Sequence, residues 1–156
     1  MADIHREIFD PKQVELVPLI ASFAPDFYLV GGTALALQYG HRRSIDFDLF
    51  STTSFDAQKI RNRIRSDFRI EQTLVASGEE LTLSVNSVKC TFYYFPYATP
   101  HPIEFTGGLS MPDPVSIGAM KAFALGHLAK WKDYVDLYVI FERHTLEEVV
   151  IRAKEL

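Results

Sequence analysis

Asp46 and Asp48, separated by a single phenylalanine, and the adjacent pair Gly31-Gly32 upstream are the residues of this 156-residue chain whose types and spacing speak most directly of chemistry. Side chains alternate across a strand, so Asp46 and Asp48 are expected on one face while Ile45, Phe47 and Leu49 turn to the other and enter a core. Two carboxylates held that close raise each other's energy, and a divalent cation with oxygen ligands relieves them. Magnesium is the expected ion, with manganese as its alternative. A glycine pair has no Cβ to keep a phosphate away from backbone N–H groups, and a helix that follows adds the positive end of its dipole. A phosphate cradle beside a metal clamp implies nucleotide chemistry.

Elements must hold these residues in place. The stretch FYLVGGTALALQYGHRRSIDFDLF reads as an apolar strand (Phe27 to Val30), a turn at Gly31-Gly32, a helix (Thr33 to Tyr39), a polar loop (Gly40 to Ser44) and a second strand (Ile45 to Phe50). Before it, Asp10-Pro11 caps a helix with Val14, Val17 and Ile20 as the expected buried stripe and a kink at Pro18. After it, Ser54 or Asp56 caps a helix that buries Ile60, Ile64 and Phe68. The other face of that helix carries Lys59, Arg61, Arg63, Arg65 and, just beyond, Arg69, which is either a solvated surface or a phosphate-contacting patch for RNA.

Three β-like runs follow, Phe68 to Ala76, Leu81 to Val85 and Val88 to Phe95, with turn signals at Ser77-Gly78 and Asn86-Ser87 that predict an antiparallel meander. Prolines at 96, 100 and 102 end it, and His101 between them reads as a surface histidine. Asp113-Pro114 opens a helix through Leu125, with a break expected from Gly126 to Lys130. The next helix starts at Trp131 and sets Asp133 and Asp136 on one face, where Lys132 and Asp136 could also form an ordinary i, i+4 surface pair. A last helix begins at Thr145.

The order apolar strand, Gly-Gly, helix, then a strand bearing Asp-x-Asp resembles the nucleotidyltransferase superfamily, and GGTALALQYGHRRSIDFDLF is similar to its AbiEii/AbiGii toxin-like branch. The run MKAFALGHLAKWKDYVDLY resembles a later motif of that branch, in which a lysine precedes a Lys-Asp step and an Asp-Leu. The resemblance spans roughly residues 26 to 141 and implies an α+β, polymerase beta-like nucleotidyltransferase fold, a mixed sheet with helices mainly on one face.

It also implies roles. Asp46 and Asp48 become catalytic ligands of Mg2+, while Gly31, Gly32, Thr33 and Ser44 become nucleotide contacts. Lys121 meets the phosphates and Asp133, ahead of Asp136, is the second polar group of the site. The implied reaction moves a nucleoside monophosphate from a nucleoside triphosphate to a hydroxyl of RNA, such as a tRNA end, or of a protein, in a toxin with a cognate antitoxin.

Two departures stand out. The strand from Val88 to Tyr93, where the superfamily carries a third carboxylate, has no acid, leaving Glu104 as a distant substitute. Relatives carry an arginine where this chain has Leu128, with His127 and Lys130 nearby. A nucleotide-binding or antitoxin-like module without turnover, and a transferase acting on a small antibiotic-type molecule, therefore remain open as alternatives.

Composition bounds all of this. With 47% hydrophobic residues the chain can bury one good core, so one domain over residues 1–156 is expected. A net charge of -4 gives no global basic field and leaves only local patches for nucleic acid. The lone Cys90, inside an apolar strand, reads as a buried filler in a reducing, cytoplasmic setting. The charged start and the lack of a long apolar run predict neither a signal peptide nor a membrane span.

Overall fold

The computed structural model describes residues 3–156, apart from the side chains of residues 126–128. A short 3-10 turn (Arg6–Ile8) leads into α1 (Pro11–Ala21), β1 (Tyr28–Val30), α2 (Gly31–Tyr39), β2 (Phe47–Ser51) and α3 (Ala57–Arg65). The meander β3 (Ile70–Ala76), β4 (Glu80–Val85) and β5 (Val88–Tyr94) follows, then the hairpin β6 (Ile103–Thr106) and β7 (Leu109–Met111). Three helices complete the chain: α4 (Pro114–Leu128), α5 (Trp131–Phe141) and α6 (Leu146–Glu155).

Five strands form one mixed sheet in the order β1-β2-β5-β4-β3, in which β2 and β5 run parallel and the other neighbours antiparallel. The register explains how the sheet separates core from chemistry. One row across it joins Leu29, Leu49, Phe92 and Leu81, and the next joins Phe47, Cys90 and Leu83, all buried. With Leu16, Leu19 and Ile20 of α1 and Ile60 and Ile64 of α3 they make a single apolar core. Strand alternation turns the intervening rows to the other face: Val30, Asp48, Thr91 and Thr82, then Tyr28, Phe50, Tyr93 and Glu80. Cys90 sits in the core as expected, its thiol pushed up to about 12 by burial and by the charges of Asp48 and Asp46.

Several boundaries differ from the sequence reading, each for a local reason. In α1 the buried stripe is Gln13, Leu16, Leu19 and Ile20, while Val14 is 54% exposed. A polar residue holds the inward position because Gln13 has work there: its Oε1 accepts from the Asp10 N–H in a capping box and its Nε2 donates to the Ser44 carbonyl at 2.8 Å. The helix itself continues through Pro18.

Strand β2 starts at Phe47, and Ile45 is exposed instead of entering the core. The backbone before β2 is satisfied by side chains rather than by a ladder, the Ser44 carbonyl by Gln13 and the Asp46 carbonyl by the Thr33 hydroxyl. Helix α4 runs through Gly126 to Leu128, and the break falls at Ala129, whose backbone is extended. A glycine inside a helix costs only about 1 kcal/mol and does not end it. Asp56, not Ser54, caps α3.

Candidate active site

Both glycines of the first motif lie inside α2, not in a turn before it, and each is required by what stands opposite. Gly31 has φ +73°, and a Cβ there would meet Asp48 Oδ2 at 2.6 Å. A Cβ on Gly32 would overlap Arg42 Nη2. The pair therefore admits a carboxylate on one side and a guanidinium on the other. Phosphate access was the sequence reason for two glycines; the fold supplies a second.

Asp48 stands on the cavity side of β2, and Asp46 comes just ahead of the strand. Asp46 Oδ2 lies 3.4 Å from Lys89 Nζ on β5, a partner the sequence reading did not pick out. Burial, reinforced by the charge of Asp46 and only partly offset by Lys89, Lys121 and Lys130, pushes the Asp48 carboxyl up to about 6. An anionic pair with one member this reluctant to ionise fits a hard cation with oxygen ligands. Among the described residues no group of three or more His, Cys, Asp or Glu could enclose an ion. Asp46 and Asp48 would thus supply the protein ligands, with substrate oxygens and water filling the rest.

Behind this face lies a network around Lys121 that includes Asp133 and Asp136 and extends to two residues ahead of β2. Asp136 on α5 is fully buried, and both its oxygens are occupied. Arg42 donates from Nε to Oδ1 and from Nη2 to Oδ2, each at 2.8 Å, and His41 Nε2 lies 2.7 Å from Oδ1. Lys121 of α4, itself nearly buried, sits 2.9 Å from Asp136 Oδ2 and 2.9 Å from Asp133 Oδ1. Burial alone would raise the Asp136 pKa, but Arg42, His41 and Lys121 outweigh it and hold the carboxyl well below the usual range. At Asp133 burial is likewise overcome, by the Lys130 N–H and Lys121. Asp136 is therefore bonded to Arg42, His41 and Lys121, and the surface pair expected with Lys132 does not form. Its partners Arg42 and His41 lie in a stretch that reads only as a polar loop; a histidine next to an arginine just before an acidic strand is the available signal.

A cavity of about 690 Å³ opens where these parts meet. Gly31, Asp48, Lys121, Lys130 and Asp133 line it, together with the aromatic rings of Phe50, Tyr93, Phe95 and Phe123. Glu80 also reaches it from β4. Its Oε1 accepts from the Thr82 hydroxyl at 2.7 Å, and Thr82 lies 3.2 Å from Thr91, the residue paired with Asp48. Glu104 is exposed on the separate β6–β7 hairpin and does not line the cavity.

Thr33 and Ser44 lie beneath the site, not in it. Both are buried; the Thr33 hydroxyl donates to the Asp46 carbonyl and shares a 2.8 Å bond with the Ser44 hydroxyl. They set the backbone that carries Asp46. The side chains of His127 and Leu128 lie outside the described residues.

Comparison with known proteins gives this arrangement a lineage. The family model described as "Nucleotidyl transferase AbiEii toxin, Type IV TA system" matches residues 19–86, which include β1, α2 and β2. An uncharacterized protein of Aquifex aeolicus (strain VF5) is 33% identical over 123 residues, 76% of this chain, and the chain spans 59% of that relative's length. A putative nucleotidyltransferase from H. pylori superposes with TM-score 0.59 at 18% identity, over 94% of this chain and 77% of that one. The antibiotic-resistance factor ANT(2'')-Ia does so with TM-score 0.60 at 15% identity, over 94% and 91%. The Megavirus polyadenylate synthase gives 0.59 at 17% identity, over 84% of this chain and 31% of its own. Residues 19–86 thus carry the AbiEii nucleotidyltransferase signature, and the chain has the α+β nucleotidyltransferase fold.

Proposed function

We propose that this chain is a magnesium-dependent nucleotidyltransferase that moves a nucleoside monophosphate from a nucleoside triphosphate to an acceptor hydroxyl. One observation carries the reading: Gly31, Asp48, Lys121 and Asp133, far apart in sequence, line one cavity. In the reaction the acceptor oxygen bonds to the α-phosphorus, the bond to the β-phosphate breaks, and pyrophosphate leaves with the electron pair. Bound between Asp46 and Asp48, magnesium would neutralise charge on the transferring phosphoryl oxygens and acidify the hydroxyl.

The protein's own residues do the rest. Gly31, at the start of α2, offers an unshielded N–H and the positive helix end to the phosphates. Lys121 stabilises the departing pyrophosphate, and Asp133 and Asp136 hold its ammonium in place. Arg42 and His41 clamp Asp136 in turn, so they are positioning residues for Lys121. Glu80, which also lines the cavity, would receive the acceptor proton in the absence of a third acid on β5. The aromatic side chains of the cavity suit a base or another flat ring.

RNA is the favoured acceptor. Arg61, Arg65 and Arg69 line one cavity beside β3, and among the described residues neither they nor Lys59 and Arg63, whose Nε donates to Ser22 at the end of α1, have a carboxylate within ion-pair distance. By family analogy the chain acts as a toxin with an antitoxin partner. Incubation with each α-labelled triphosphate, magnesium, total RNA and small hydroxyl compounds tests the whole reading. Label should appear on RNA and vanish with Asp46→Asn or Asp48→Asn, while Glu80→Gln should lower transfer without weakening triphosphate binding. Label on a small molecule alone would select an antibiotic-type transferase, and tight triphosphate binding without any transfer would select a non-catalytic module.

A further inference from the structure

Helix α5 has two faces with opposite duties. One buries Asp136, Leu137 and Ile140. The other presents Trp131, Tyr134, Tyr138 and Phe141, which are 68%, 60%, 67% and 40% exposed. Single exposed aromatics are ordinary, but four in one row on one helix make a continuous apolar surface that a free chain rarely keeps. Their spacing of three, four and three is the rhythm of a helix that seats against another helix. It also reads the same from either end, which is what a two-fold axis across the middle of the helix demands.

Size and charge agree with a self-pairing. From the usual areas of these side chains the row leaves on the order of 500 Å² exposed per copy. Two copies together reach roughly the 1,000 Å² that marks a specific interface. The row starts beside Lys130 and ends beside Glu142, both exposed. Near its ends Asp133 is held by Lys121 and Arg143 lies over the Tyr39 ring at 4.1 Å, while Lys132 adds a second positive charge beside Lys130. An antiparallel meeting therefore brings opposite charges together at each end of the seam and opposes the helix dipoles favourably, whereas a parallel one would set like against like.

We propose that α5 is the seam of a homodimer in which two copies pack their α5 helices antiparallel about a two-fold axis. Trp131 of one copy then faces Phe141 of the other, and Tyr134 faces Tyr138. The proposal is independent of the transfer chemistry. Sedimentation velocity of the full chain, from low micromolar to several hundred micromolar, should show a species of twice the 17.8 kDa chain mass. The double variant Tyr134→Glu with Tyr138→Glu should sediment as monomer with an unchanged circular dichroism spectrum. Should that variant misfold, the charge test decides: Glu142→Lys should weaken self-association about tenfold, and adding Lys130→Glu in the same chain should restore it. A wild-type chain that stays monomeric at every concentration would overturn the proposal and leave the row to a different partner. So would a dimer that the folded tyrosine variant leaves intact, or, where that variant misfolds, one indifferent to the charge changes.

Discussion

At the scale of single residues, the two acids at opposite ends of the network should respond to pH with opposite signs. Asp136 has a carboxyl held below its ordinary value of 3.8, so its stabilising contribution is complete above about pH 4 and fades as the pH falls further. Asp48 is raised from 3.8 to about 6, so the folded state is favoured by its protonated form, and that advantage is lost as the pH rises from about 4 through about 6. Asp48→Asn in metal-free protein should then raise the unfolding free energy at neutral pH by about 1–2 kcal/mol, and change it little at pH 4, as read from urea melts. Asp136→Asn should act the other way at neutral pH. It leaves Arg42 and Lys121 without their shared counter-charge inside the protein, a loss of about 3–5 kcal/mol on a urea melt. The glycines and the aspartate pair were legible in the sequence because their backbone and charge demands are local. Asp136 was legible only as the lesser member of the later motif, since what singles it out is burial beside Arg42 and Lys121 from two other segments.

Elements were legible where periodicity and caps agreed. The caps at Asp10, Asp56 and Asp113 hold, the last helix starts next to Thr145, and the three-strand meander forms with its predicted turns. Helix α1 shows how the same reasoning slips in part: of Val14, Val17 and Ile20, Ile20 is buried and Val17 packs against the core, but Val14 is exposed and Gln13, Leu16 and Leu19 complete the inward face. Leu16→Ala should therefore cost about 2–5 kcal/mol, as emptying a core site does. Val14→Ala, at a surface position, should stay within about 0.5 kcal/mol. Chemical denaturation of the two variants separates the faces directly. Edge strand β3 departs in another sense, since it lies exposed along nearly its whole length and shifts register twice against β4, irregularities that blunt an edge against unwanted pairing.

For the molecule as a whole, charge is distributed in a way that net charge conceals. The total is -4, yet Arg61, Arg65 and Arg69 stand together beside β3, lining a cavity of about 580 Å³. Binding of a labelled single-stranded RNA should weaken steeply with salt, with a log–log slope near -0.7 for each phosphate engaged. Reversing Arg61, Arg65 and Arg69 to glutamate should flatten that slope by about two, measured by fluorescence anisotropy. The α+β class and mixed sheet were legible because the first motif fixes a strand, helix and strand in order. None of the helices among the described residues is long and apolar enough to cross a membrane.

The Arg42–Asp136 clasp has a mechanical corollary. It fastens the bend just ahead of β2 to a helix from the far end of the chain, so neither piece can slacken alone. A disturbance that tilts α5 would be felt at once beneath the paired aspartates, and a polyphosphate gripping those aspartates would stiffen α5 in return.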